Sequence, residues 1–131
     1  MIFGIGTDVV EVSRIKAALK KHGQKLAEKI LTADELLAYQ EVKSKENFLA
    51  KRFAAKEAFA KAFGTGLRGE VNLKSIEVTH DDLGKPHLKY HDQLKRLVHE
   101  KNIYRCHLSI SDEKNIAVAF VILEMQEHDG R

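Results

Sequence analysis

The stretch from Phe48 to Phe63 constrains the fold more than any other, because it reads as a helix with almost no polar face and still carries charges. At about 100° per residue, Phe48, Leu49, Phe53, Phe59, Ala60 and Phe63 form one broad apolar arc, with Ala54, Ala58 and Ala62 as a small-residue face opposite. A helix that is apolar nearly all round belongs inside a domain. Arg52 and Lys56 rise from the middle of the arc, and Glu57 and Lys61, spaced i,i+4, lie at its edge. Charges so placed are costly unless they pair or hold an ion or anion. The plainer alternative is a Glu57/Lys61 surface pair contributing about 0.3–0.5 kcal/mol, with Arg52 and Lys56 reaching past their neighbours to water.

The N-terminus bears on that choice. Ile2 to Val10 is β-branched and alternates with period two, the pattern of a strand. Gly4, Gly6 and Asp8 then share one face, and Phe3, Ile5, Thr7 and Val9 the other. Two glycines weaken a strand, so a face cleared of side chains beside an acid implies close approach of another backbone or a ligand. The alternative is that Asp8 caps the helix that follows. An acid on a strand and Glu57 on a buried helix are hard oxygen donors of the kind Mg²⁺ uses alongside waters and substrate phosphates. Arg52, Lys56 and Lys61 suit the phosphates. Such a set implies phosphoryl-group chemistry, in which positioning and charge neutralisation supply most of the catalysis.

Three segments carry a resemblance. Gly-Ile-Gly-Thr-Asp-Val-Val-Glu-Val-Ser-Arg-Ile at 4–15, Ala-Lys-Arg-Phe-Ala-Ala-Lys-Glu-Ala-Phe-Ala-Lys-Ala-Phe-Gly-Thr-Gly at 50–66 and Leu-Gly-Lys-Pro at 83–86 resemble the bacterial holo-acyl-carrier-protein synthases of the 4′-phosphopantetheinyl transferase superfamily. The likeness runs along essentially the whole chain, with the middle segment the most specific and the Gly-Lys-Pro turn the least. It implies an α+β fold, a small antiparallel sheet packed with helices, as one domain over residues 1–131 that assembles as a homotrimer with active sites between subunits. The implied reaction moves 4′-phosphopantetheine from coenzyme A to a serine of apo-acyl carrier protein, as in fatty acid biosynthesis, and releases adenosine 3′,5′-bisphosphate.

The resemblance also implies roles. Asp8 and Glu57 would hold Mg²⁺ and, with Lys61 on the pyrophosphate, form the catalytic set. Arg52 and Lys56 would support the anionic pocket, while Gly64, Gly66, Gly84 and Pro86 shape the nucleotide site. His107 and the Lys43/Lys45 segment would reach the ribose 3′-phosphate across a subunit boundary. Relatives often carry more basic residues in that segment, where this chain has Ser44 and Glu46. Arg14, Lys21 and Lys25 would receive the acidic carrier protein. The basic stretch itself is visible without any relative: Arg14, Lys16, Lys20, Lys21, Lys25 and Lys29 occur with Glu28 as the only acid among them, which fits an acidic partner or a merely solvated face.

The rest of the chain sets limits. Its 131 residues fit one domain, no twenty-residue apolar run exists for a membrane span, and no secretory signal is expected, because glycines and Asp8 interrupt the first apolar stretch. The single Cys106 is compatible with a reducing compartment, so a cytoplasmic protein is expected. Seven histidines show no metal-ligand spacing with cysteine. After Ile2–Val10 the pattern predicts helices broken near Gly23, a capping box at Thr32 opening a helix to about Glu41, and a polar link over Lys43–Asn47. Gly64-Thr65-Gly66 should end the long helix. Strands follow at Ser75–Thr79 and His87–Tyr90, then a helix at His91–Lys101 and a strand at Tyr104–Ser111 with His107 on its polar face. A turn over Asp112–Asn115 leads to Ile116–Leu123, apolar on both faces and therefore central or at a subunit interface. The end should fray from about Gln126.

Two rivals remain. A non-enzymatic nucleic-acid-binding module would use the basic helix but leave Asp8 and the charged buried helix without purpose, so neither nucleic acid nor a membrane is the expected partner. A phosphopantetheinyl transferase serving other carrier domains is the nearer alternative.

Overall fold

The computed structural model describes residues 1–127. Strand β1 (Ile2–Glu11) runs directly into α1 (Val12–His22), and Gly23, at φ 64°, separates α1 from α2 (Gln24–Ile30). Helix α3 (Ala33–Glu41) opens on the expected capping box, in which Glu35 N–H donates to Thr32 Oγ1 and Thr32 N–H donates to Glu35 Oε1. The long helix α4 (Lys45–Phe63) begins within the expected polar link. Ser44 is its cap, accepting from Asn47 N–H at 3.4 Å, so Lys45 to Asn47 form the first turn. Gly64 closes it in the left-handed region, at φ 97°. Then come β2 (Ile76–His80), β3 (Pro86–Tyr90), α5 (Asp92–Glu100), β4 (Ile103–Glu113) and β5 (Ile116–Met125).

The larger sheet has the order β1-β5-β4, antiparallel throughout, and β2-β3 form a separate hairpin. This is the α+β class the sequence implied. On one face of β5, Ala117, Ala119, Val121 and Leu123 are buried against α4, while Phe120 on the other remains 42% exposed. Ile5, Val9 and Ile116 share that open face with it.

β1 meets α4 backbone to backbone. A Cβ on Gly4 would overlap the Ala62 carbonyl oxygen, and one on Gly6 the Ala58 carbonyl oxygen. The close neighbour implied by the glycine face is therefore the small-residue side of α4. Phe3 departs from strict alternation: a register irregularity between Ile2 and Gly4 turns it toward the helix, its ring 6.1 Å from Phe63. Asp8 is not a helix cap. It sits mid-strand opposite Ala119, and α1 is capped instead by Asn115, whose carbonyl oxygen accepts from Val12 N–H and whose Oδ1 accepts from Ser13 N–H, both at 2.8 Å. The turn holding Asn115 is tighter than expected, because pairing continues to Glu113 opposite Ile116.

Inside the fold, the charged residues of α4 divide by face. Lys56 is fully buried, and its Nζ donates to Glu35 Oε1 at 2.6 Å, Ile30 O at 2.7 Å and Leu73 O at 2.9 Å. Glu35 Oε2 accepts from Val78 N–H at 2.9 Å. One buried ion pair thus ties α3, α4 and β2 together with every ammonium proton used. Gln126 is held by the Asn102 carbonyl at 2.9 Å, and the expected fraying beyond it falls on residues 128–131, outside the described residues.

Candidate active site

At the edge of α4 facing β1, three of the expected residues come together. Lys61 Nζ lies 3.0 Å from Asp8 Oδ1 and 3.0 Å from the Thr7 carbonyl oxygen, and its side chain is about half exposed. Glu57 stands one helical turn earlier. Burial pushes its carboxyl above the usual carboxylate range and the negative charge of Asp8 pushes it further, with Lys61 opposing both. The carboxylates of Asp8 and Glu57 therefore feel each other, and one lysine does not fully offset them. Two hard oxygen donors with an excess of negative charge could hold a divalent cation of the kind that draws its remaining ligands from water and substrate, as Mg²⁺ does. Among the described residues no group of three or more His, Cys, Asp and Glu forms a closed metal cage.

A cavity of about 220 Å³ lies between α4, the β2–β3 turn and β4, with Lys51, Arg52, His80, Gly84, Pro86 and Asp112 on its wall. Arg52 is anchored there by donation from Nη1 to the Val78 carbonyl at 3.2 Å and by stacking on Phe48, 4.4 Å from the ring centre. Across Pro86 a second cavity, of about 280 Å³, opens on the outer face of the sheet and includes Lys85, His107, Ser109 and Phe120. His107 Nε2 sits 2.6 Å from Glu124 Oε1, a contact that draws the glutamate's carboxyl below its usual range. Cys106, its neighbour, faces inward beside Tyr90, and burial pushes the thiol up to about 11. A nucleophilic Cys106/His107 pair is excluded by direction as well as by acidity.

Other expected site residues stand elsewhere. Lys56, assigned to the anionic pocket, belongs to the interior, since its three donors already have acceptors there. Lys45 folds back on the end of α3, donating to the Tyr39 carbonyl at 2.6 Å and the Val42 carbonyl at 3.0 Å, with its ammonium over the Tyr39 ring. It acts as a helix C-terminal cation and does not reach either cavity. Lys43 is exposed on the segment between α3 and α4. Gly64 and Gly66, both at positive φ, follow Lys61 at the end of α4 and donate backbone N–H groups back to the Ala60 carbonyl. Arg14, Lys21 and Lys25 are exposed on α1 and α2, with Arg14 held only loosely by Glu11 at 3.4 Å.

Sequence reasoning passed over Lys51, His80 and Glu35 as site or lock residues. Lys51 adjoins Arg52, and His80 immediately precedes the Asp81–Pro86 turn, so a count of basic residues flanking the singled-out motifs would have found both. Glu35 was legible only as a cap, because nothing local signals that its second oxygen serves β2.

The chain matches the family model of the 4′-phosphopantetheinyl transferase superfamily over residues 4–121. It is 58% identical over 124 residues to a holo-[acyl-carrier-protein] synthase of Nitrosospira multiformis, covering 95% of this chain and 99% of that one. The crystal structure of the synthase from Neisseria meningitidis superposes with a TM-score of 0.92 at 51% identity, covering 95% of this chain and 99% of that one. The Bacillus anthracis synthase in complex with CoA (3′,5′-ADP) gives 0.82 at 42% identity, over 96% and 99% of the two chains. On sequence and on fold, this chain belongs to the holo-[acyl-carrier-protein] synthases of the 4′-phosphopantetheinyl transferase superfamily.

Proposed function

We propose that this chain transfers the 4′-phosphopantetheine group of coenzyme A to a serine hydroxyl of an apo-acyl carrier protein, yielding holo-carrier protein and adenosine 3′,5′-bisphosphate. The serine oxygen forms a bond to the phosphorus that bears pantetheine. The bond from that phosphorus to the bridging pyrophosphate oxygen breaks, its electron pair leaves with the nucleotide, and the hydroxyl proton is released. The observation that carries this reading is the meeting of Asp8, Glu57 and Lys61 at one edge of the β1–α4 contact. Asp8 and Glu57 fit Mg²⁺, which when bound would neutralise the pyrophosphate and polarise the phosphorus under attack. Lys61 offers an exposed ammonium to the same pyrophosphate, held in place by Asp8 and Thr7 until substrate arrives. Arg52, Gly84 and Pro86 line the nucleotide end of the cleft, with the turn at Gly64 and Gly66 beside its pyrophosphate end.

Two surfaces complete the proposal. The open sheet face, with Ile5, Val9, Ile116 and Phe120 exposed, supports assembly as a homotrimer, because a contiguous apolar sheet face gains by self-association. His107 stands on that same face and adjoins the second cavity, so it would serve the nucleotide site at a subunit boundary. Light scattering should then read three chains per particle. No helix among the described residues is long and apolar enough to cross a membrane, and the lone, half-buried Cys106 suits the reducing cytoplasm.

The direct test is to incubate the protein with coenzyme A, Mg²⁺ and apo-acyl carrier protein and to weigh the carrier by mass spectrometry. A phosphopantetheine mass increase is expected, and an unchanged carrier mass removes the proposal. Docking is assigned to Arg14, Lys21 and Lys25, whose exposed charges act on encounter and affinity more than on chemistry. Arg14→Glu is therefore expected to raise the KM for carrier protein about tenfold, a change of about 1.4 kcal/mol, with the KM for coenzyme A unchanged. Parallel loss of both would place Arg14 in the nucleotide site or the fold.

A further inference from the structure

We propose that His80 is the proton-accepting member of a basic seat for the ribose 3′-phosphate of coenzyme A, so that coenzyme A binding takes up a proton. The inference rests on the function proposed above and goes beyond it by assigning one wall of the 220 Å³ cavity and a proton linkage to this chain's own residues.

The seat is built from two elements. Helix α4 supplies Lys51 and Arg52, and the end of β2 supplies His80. Arg52 has a side chain only 10% exposed, and its Nε is a buried donor without a hydrogen-bond partner, 3.8 Å from the nearer Glu35 oxygen. The Arg52 guanidinium, anchored through Nη1 on the Val78 carbonyl, is a fixed positive charge on the cavity wall beside Lys51 and His80. Coenzyme A brings two anionic groups. The pyrophosphate is accounted for by Lys61 and the carboxylate pair, which leaves the 3′-phosphate for a wall with three basic side chains.

The surroundings of His80 explain the proton. Lys51 and Arg52 act on it from α4, Asp81 from the turn and His87 from β3, and Asp112 of β4 shares the cavity wall. Asp81 is the acid that acts on it, but its Oδ1 already accepts from Leu83 N–H and Lys85 N–H at 2.9 Å, and its Oδ2 lies 3.2 Å from His87 Nε2. Asp112 accepts from Asn47 Nδ2 at 3.4 Å. Without a ligand, burial and then the charges of Arg52 and Lys51 hold the His80 imidazole below its usual range, with Asp81 opposing. A phosphate monoester carries about −1.5 to −2 charges at pH 7. Placed among these cations it reverses the balance and favours imidazolium, which adds a charge-assisted hydrogen bond.

The sign of the linkage is fixed. Binding that raises a histidine's pKa weakens as pH rises from the free value through the bound value, by up to about tenfold per pH unit for one proton. The test is coenzyme A affinity by titration calorimetry between pH 6.5 and pH 8.5, above the second ionisation of the phosphate at about 6. The native protein is expected to lose affinity across that range, and to lose none for dephospho-coenzyme A. His80→Gln should bind coenzyme A more weakly at pH 6.5 and without a pH slope. His80→Lys should restore the affinity, also without a slope, which a merely structural role for His80 would not produce. A native affinity flat with pH, or a slope that survives His80→Gln, overturns the assignment. Failure of coenzyme A to bind at any pH overturns the proposed function and this inference together.

Discussion

Glu57→Gln is expected to reduce turnover by at least about 100-fold, because an interaction that acts on transition-state charge is worth several kcal/mol, and at the same time to raise the melting temperature at pH 7. The second effect follows from the direction of the Glu57 shift. Burial and Asp8 lift the folded-state carboxyl above its usual range against the partial opposition of Lys61. A raised acid opposes folding once the unfolded chain has ionised. Its cost is absent below the ordinary carboxylate pKa of about 4.3 and fully present at neutral pH, so glutamine relieves it there and not in acid. Activity assays at saturating coenzyme A and carrier protein, with thermal melts at pH 7 and pH 4, check both halves. Near-normal turnover would make Glu57 a structural residue, and a lower melting temperature at pH 7 would contradict its electrostatic assignment.

Glu35→Ala is expected to cost about 3–5 kcal/mol, the usual penalty for breaking a buried pair by removing one partner. It leaves the fully buried Lys56 ammonium with two carbonyl oxygens, strips Val78 N–H of its acceptor and takes the reciprocal half of the capping box from α3. Against a total stability of about 5–15 kcal/mol for a domain of this kind, that loss is a large share of the whole. Adding Lys56→Met should recover part of it, since the uncompensated charge leaves with the side chain. Urea unfolding of the native protein, the single variant and the double variant gives the comparison. A single-variant cost under about 1 kcal/mol, or no recovery in the double variant, would mean the pair does not hold α3 to α4.

The fold was legible where local pattern and tertiary demand agree. The capping box at Thr32, the break at Gly23, the buried character of α4 and the outward face of His107 follow from period and residue type, and these elements form where those rules place them. The meeting of strand and helix at Gly4 and Gly6 was readable as a close approach, though not that its partner was the alanine face of α4. The charged residues of that helix were harder. A helical projection separates Arg52 and Lys56, in the middle of the apolar arc, from Glu57 and Lys61 at its edge, but only partners distant in sequence decide which charge is locked inside and which faces a cleft. Lys56 finds Glu35, Ile30 and Leu73, and Lys61 finds Asp8. Lys45 shows the same limit, because the end of α3 captures an ammonium that composition alone would offer to a phosphate.

The bare contact of β1 with α4 makes the site hard to retune. Where two elements meet through side chains, enlarging or trimming a residue slides them by fractions of an ångström and moves whatever they carry. Between Gly4 and Ala62, and between Gly6 and Ala58, nothing intervenes that could be enlarged or trimmed. The carboxylate on the strand and the carboxylate and ammonium on the helix are mounted on main chains already touching. Substitutions elsewhere in the core can loosen the protein without widening that gap, and any side chain added at the contact breaks it. Variation in reactivity must then come from the acidic and basic groups themselves or from the loops beyond the end of α4, never from the frame that spaces them.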